Sequence, residues 1–188
     1  QTYQAGRVLL TVPLGVLKAN QILFEPVLPT EKSNAIQKIG FGKGLRLVLR
    51  FSQPLWVGNT DMILGGGTFP EYEINSTYRS TSQHIVTATA MGTAAENLIP
   101  LSDTEIAAKA VQELSQIYPA SAVQAKFTQQ YFVKRWVDEP YIQGSYSYPS
   151  PGSEGQAQIL AEPVAGKLFF AGEATNYNGH AGTVHGAM

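Results

Sequence analysis

Alternation is the strongest pattern in the chain. In "LRLVLRF" the apolar residues Leu45, Leu47, Leu49 and Phe51 alternate with Arg46, Val48 and Arg50. A period of two places the two sets on opposite faces of a strand. Further strands are predicted for "RVLLTV" (7–12), which Pro13 stops, and for Ile85 to Met91 within "HIVTATAM". "MILGGGTFP" reads as a strand end followed by a glycine turn, and "KFTQQYFVKRW" as a long strand with aromatics on both faces. The helical period is clearest at Ile106, Ala110, Leu114 and Ile117. Ser102 and Glu105 precede it with capping-box spacing, and Pro119 stops it. A shorter helix is predicted over "PTEKSNAIQKIG", with Thr30 as N-cap, Ala35, Ile36 and Ile39 on one face, and Gly40 as the stop. "DEPYIQGSYSYPSPGSEGQ" is loop-like. The chain closes on an apolar run, Leu168 to Ala171, then Gly172 and Glu173, a Gly- and Asn-rich loop, and a helix start at Thr183. Several strands with two or three interspersed helices predict a mixed α/β (α+β) domain.

Composition narrows this picture more than it adds to it. The 188 residues suffice for one domain, or one and a half, and a hydrophobic share of 44% is ample for a core. Charged residues make up 14% and the net charge is −1, so an electrostatic nucleic-acid binder is not indicated. No apolar run has the length of a membrane span, and no signal peptide is visible at the start. The chain opens without Met and stops just inside the closing helix, which suggests a piece of a longer protein. The compartment is not readable. With no cysteine there is no disulfide, thiolate metal site or cysteine nucleophile.

Candidate chemistry is sparse. His84, His180 and His185 lack metal-like spacing, and no G-x-S-x-G elbow is present. "GFGKG" (40–44) is neither G-x-G-x-x-G nor a P-loop, and it reads as a turn before a strand. Arg46 and Arg50 are either solvated, or one of them points into a site. Tyr146 and Tyr148 are either a ligand rim or loop anchors. The helix start at Thr183 offers unpaired N–H groups and partial positive charge, suited to an anion or an electron-rich ring edge; an ordinary β-loop-α connection is the alternative. These features describe a mixed domain with a candidate ligand end, but no reaction.

Three segments, in order, carry a resemblance. They are "RVLLTVPLGVLKANQILFEPVLPTEKSNAIQKIGFGKGLRLVLRF", "RWVDEPYIQGSYSYPSPG" and "LFFAGEATNYNGHAGTVHGA". Together they resemble the flavin-containing amine oxidases, closest in flavour to polyamine oxidases and lysine-specific histone demethylases, over nearly the whole chain. The resemblance implies a substrate-binding domain with a mixed sheet flanked by helices, plus the last strand and loop of an FAD-binding domain. It implies residues 1–13 as a strand from the FAD domain, 14–140 as the substrate-binding domain and 141–188 as the return segment. The family's N-terminal dinucleotide-binding domain is missing from the sequence, so FAD is expected in the full-length protein and not in this stretch alone.

Residue by residue, the resemblance places Gly172 and Glu173 by the cofactor's ribose–pyrophosphate region. It sets the backbone of Thr183 and Val184 at the flavin's pyrimidine edge, where helix N–H groups stabilise charge. Trp136 matches a tryptophan packed near the flavin, and Tyr146 the aromatic that guides the amine. Ser145 stands where monoamine oxidases have the cysteine that bonds to flavin, so FAD binding is expected to be non-covalent. Thr183 stands where some members have a second aromatic. Arg46 replaces the family lysine that holds a water against the flavin. Its fixed, forked charge is expected to disfavour a nearby cation, or to anchor a substrate carboxylate. The implied partner is a small-molecule amine or amino acid, with no nucleic acid and no membrane. An L-amino-acid oxidase or desaturase-like flavoenzyme, and a flavin-free binding protein on the same fold, remain as alternatives.

Overall fold

The structure is a computed structural model, and it describes residues 1–65, 67–77, 79 and 83–188. The chain forms two compact units. Unit 1 joins residues 1–42 to 136–188, and unit 2 is the continuous stretch 43–135. The helices of residues 14–42 pack with the late part of the chain, within unit 1.

Unit 1 begins with β1 (Val8–Leu10), which ends before Pro13. α1 (Leu14–Lys18) follows, with Leu14, Val16 and Leu17 buried. α2 is Thr30–Lys38. Thr30 is its first helical residue rather than its cap: Pro29, extended at ψ 144°, precedes it, and no side chain caps this end. Gly40 is not simply a stop. Ile39 is extended, and Gly40 opens the two-residue strand β2 (Gly40–Phe41).

Unit 2 contains β3 (Gly44–Phe51), β4 (Met62–Leu64), β5 (Glu71–Ile74), β6 (His84–Met91), α3 (Thr93–Leu98), α4 (Asp103–Ile117), α5 (Ala120–Lys126) and β7 (Phe127–Arg135). The strands pair in the order β4-β5-β6-β3-β7, and every pairing is antiparallel. The glycine turn expected after Leu64 includes residue 66, which lies outside the described residues. Leu45, Leu47, Leu49 and Phe51 are buried, as the alternation requires, in a core with Val86, Ala88, Ile106, Ala110 and Leu114. Each such leucine contributes about 1.5–3 kcal/mol by leaving water. The capping box forms: Ser102 Oγ accepts from Glu105 N, and Ser102 N donates to Glu105 Oε2 at 2.8 Å.

The chain then returns to unit 1. A 3-10 turn spans Trp136–Asp138, and β8 (Ser147–Tyr148) pairs antiparallel with β2. α6 (Gln156–Ala161) and β9 (Leu168–Phe170) follow, and β9 lies parallel to β1. A second core gathers Leu14, Leu17, Ala35, Ile36, Leu160 and Phe170. Within it Lys32 is only 4% exposed. Its Nζ donates to the carbonyls of Ile159, Leu160 and Glu162 at 2.6, 2.8 and 2.5 Å, and sits 4.5 Å from the Phe170 ring centre. One ammonium thus satisfies carbonyls that the end of α6 leaves unpaired. The class is mixed α/β, and among the described residues parallel pairing is confined to β1 and β9. Among the described residues no helix is long and apolar enough to cross a membrane.

Candidate functional site

The carboxyl ends of β1 and β9 lie side by side, with Leu10 opposite Phe170, and Ala171 N donates to Leu10 O at 2.9 Å. Parallel strands bind ligands beyond their carboxyl ends. A cavity of about 270 Å³ occurs at that place, lined by Val12, Pro13, Ser145, Phe170, Gly172 and Glu173 among others. Its wall is largely apolar, with a few polar groups, as ligand pockets are. Gly172 has φ 129° and ψ 174°, a region open essentially to glycine alone. A Cβ there would meet no atom within 4 Å, so a side chain would stand in open volume at the cavity wall. That is the form of a cradle kept clear for close approach to the backbone.

Glu173 lines the same cavity, but its carboxylate has protein partners. Ser147 N donates to Oε1 at 3.1 Å and to Oε2 at 3.3 Å; Ser147 Oγ donates to Oε2 at 2.6 Å, and Gly182 N at 2.7 Å. Sequence reasoning placed Glu173 at a ligand and missed Ser147 and Gly182 altogether. Tyr146, 42% exposed, lies against Gly182. A Cβ on Gly182, whose φ is +74°, would come within 3.1 Å of Tyr146 Cδ2. Tyr146, Tyr148, Tyr177 and Asn176 line a second cavity of about 680 Å³.

Thr183 and Val184 border neither cavity. Thr183 Oγ1 donates to His180 O at 2.7 Å and accepts from Gly186 N at 3.1 Å, while Val184 is 81% exposed. The expected helix start is a single 3-10 turn, His185–Ala187, closed by Ala187 N on Val184 O. Trp136 is half-buried, and its carbonyl accepts from Gly144 N at 3.2 Å, closing the loop before Ser145. His180 and His185 meet edge to face, ring centres 4.6 Å apart. Among the described residues no group of three metal-ligating side chains exists.

Arg46 belongs to unit 2. It lies on the sheet face opposite Leu45 and Leu47, half exposed, with Nη2 3.6 Å from Glu73 Oε1. In register it stands opposite Thr89 on β6 and Lys134 on β7, and Thr89 in turn stands opposite Glu71. Thr89 is 7% exposed, and its Oγ1 has no hydrogen-bond partner among the described residues. The Glu73 carboxylate thus faces the Arg46 guanidinium.

A sequence model of the family described as "Flavin containing amine oxidoreductase" matches residues 1–188. The chain is 36% identical over 194 residues to lysine-specific histone demethylase 1 homolog 1 of Oryza sativa subsp. japonica, with 100% of this chain and 23% of the relative covered. It is 36% identical over 189 residues to probable polyamine oxidase 4 of Arabidopsis thaliana, with 99% and 37% covered. The chain thus spans well under half the length of these relatives. Among solved structures it is similar in fold to cyclohexylamine oxidase from Brevibacterium oxydans IH-35A, with TM-score 0.79, 20% identity, and 100% of this chain and 41% of that one covered.

Proposed function

The chain belongs to the flavin containing amine oxidoreductase family, and on that premise we propose that the full-length protein oxidises small amines with a non-covalently held FAD. The observation that carries this reading is the cavity beyond the parallel β1–β9 pair, kept open at Gly172. We assign cofactor contact to residues 1–13 and 141–188, and substrate binding to 14–140.

When bound beside Gly172 and Glu173, FAD would supply a two-electron acceptor for hydride from an amine α-carbon. The chain's own residues bind and orient. Gly172 admits a cofactor to the backbone, and the open wall formed by Val12 and Pro13 gives it an apolar seat. Ser145 carries a hydroxyl, already donating to Gly42 O at 3.1 Å, and cannot form a thioether. Thr183, Val184 and Trp136 are assigned to the cofactor by resemblance. Tyr146 offers a ring face to an amine. Arg46 holds a proton-bearing fork for a water, and Glu73 offsets its charge so that a cationic amine is tolerated.

An amino-acid substrate is the second reading. The Arg46 side chain has no hydrogen bond among the described residues, and its ion pair is longer than a hydrogen bond, so its guanidinium donors remain open to a carboxylate. The test is to purify the full-length protein, record its flavin spectrum, and measure peroxide with monoamines, diamines and amino acids. Amine turnover with bound flavin is expected. Protein that purifies without flavin and does not take up FAD would overturn the reading, and turnover of amino acids alone would select the second.

A further inference from the structure

We infer that Glu173 is a positioning residue that fixes the Tyr146 ring by clamping the backbone on both sides of it. The inference rests on the proposed amine oxidation only for its kinetic consequence.

The geometry is that of a keystone. Tyr146 is followed by Ser147, whose N–H and hydroxyl both donate to the Glu173 carboxylate. The surface against which Tyr146 packs is Gly182, whose N–H donates to the same carboxylate at 2.7 Å. One side chain therefore ties the residue after the aromatic to the residue beneath it. The tie spans 174–182, a loop that otherwise holds itself with short-range bonds such as Asn178 N and His180 N to Asn176 Oδ1. Hydrogen bonds to an ionised acceptor are roughly twice as strong as neutral ones. Ser147 is buried, so losing the acceptor would leave polar groups without a partner away from water.

The distribution of donors matters. Oε2 takes three of the four contacts and Oε1 takes one. A carboxylate has about four lone-pair sites, so Oε1 retains capacity for a further donor. Since Glu173 also lines the first cavity, it links that cavity to the ring at the second. The same side chain can meet a cofactor hydroxyl and hold the amine-guiding aromatic in register.

The test uses full-length Glu173→Ala, Glu173→Gln and Glu173→Asp. The readouts are amide exchange at Ser147 and Gly182, flavin content by absorbance, and steady-state kinetics per bound flavin. Glutamine keeps an acceptor where Oε2 stands; aspartate keeps the charge but withdraws its reach. Exchange at Gly182 should rise about tenfold in the Ala and Asp variants, as expected for loss of a charge-assisted bond, and by a smaller factor in Gln, which keeps a neutral acceptor. Amine KM, from rates per bound flavin, should rise about fivefold in Ala and Asp, and by less in Gln. If the Ala variant does not fold, the Asp–Gln contrast decides alone. Unchanged Gly182 exchange in the Asp variant, or a Gln variant as impaired as Asp, overturns the inference. Absence of amine turnover in wild type, with the exchange pattern as stated, overturns the proposed function and leaves the clamp standing.

Discussion

Arg46 and Glu73 face one another on the exposed side of the five-stranded sheet, Nη2 3.6 Å from Oε1, with Thr89 between their strands. The pair is open to solvent, and such pairs contribute about 0–1 kcal/mol to stability. Its value lies in the field it sets around Arg46. Replacing Glu73 by Gln in the full-length protein should raise KM for a cationic amine about three- to fivefold at low salt, with the effect fading as ionic strength shortens the screening length. KM unchanged at low salt would count against this.

Gly172 tests the cradle. Gly172→Ala puts a methyl into open volume and forces a non-glycine residue to φ 129°. The strain should cost about 1–3 kcal/mol, and the flavin-to-protein ratio after purification should fall further than that loss explains. A fully flavinated Ala variant would show that the cradle is not used.

Lys32 tests the second core. Lys32→Met removes three donors at once and leaves the carbonyls of Ile159, Leu160 and Glu162 without this partner. Urea denaturation should show a loss of about 2–4 kcal/mol, and a loss below about 0.5 kcal/mol would contradict the assignment.

Glu113 sets a pH dependence. It lies on α4 and accepts from Thr68 N, from Phe69 N at 3.2 Å and from Tyr72 Oη at 2.6 Å, anchoring the 67–69 loop. Burial pushes its carboxyl up, but the hydrogen bonds from Thr68, Tyr72 and Phe69 outweigh it and hold the pKa below the ordinary value. A depressed folded pKa gives stability that is present above the unfolded pKa and is lost as pH falls through the folded one. Glu113→Gln should cost about 1–2 kcal/mol near neutral pH, after solvent screening. Its difference from wild type should shrink as pH drops below the carboxyl's ordinary 4.5. A difference that stays constant from neutral to acid pH would show that the charge has no part in it.

What the sequence disclosed was local. The alternation at Leu45 to Phe51 and the Ser102–Glu105 box are each written within a few residues, and both form. α1, α3, α5 and α6 have five to seven residues each, fewer than two turns, so no period could show them. Thr30 has a capping residue's chemistry, yet Pro29 holds the position before the helix. The polar character of Gly172–Glu173 was visible, but the partners of Glu173 were not. Ser147 and Gly182 reach it only after β8 and the 174–182 loop are in place. Glu73 is the same case, since it meets Arg46 through strand register, and nothing in either segment names the other.

Unit 2 is a single run of chain, whereas unit 1 is split around it, and Val8 must find Leu168. This gives the two units a schedule during synthesis. Residues 43–135 hold every strand of the antiparallel sheet and can close it while the rest is still being made. β1, with Leu9 and Val8 exposed even in the finished fold, must wait for β9. At about 5–20 residues per second the wait is on the order of ten seconds, and pulse proteolysis of ribosome-held chains would reveal it as late protection of residues 1–42. The cavity of about 270 Å³ lies at the ends of those two strands, so it forms late, and a ribosome stalled before Leu168 would carry a finished sheet without that cavity.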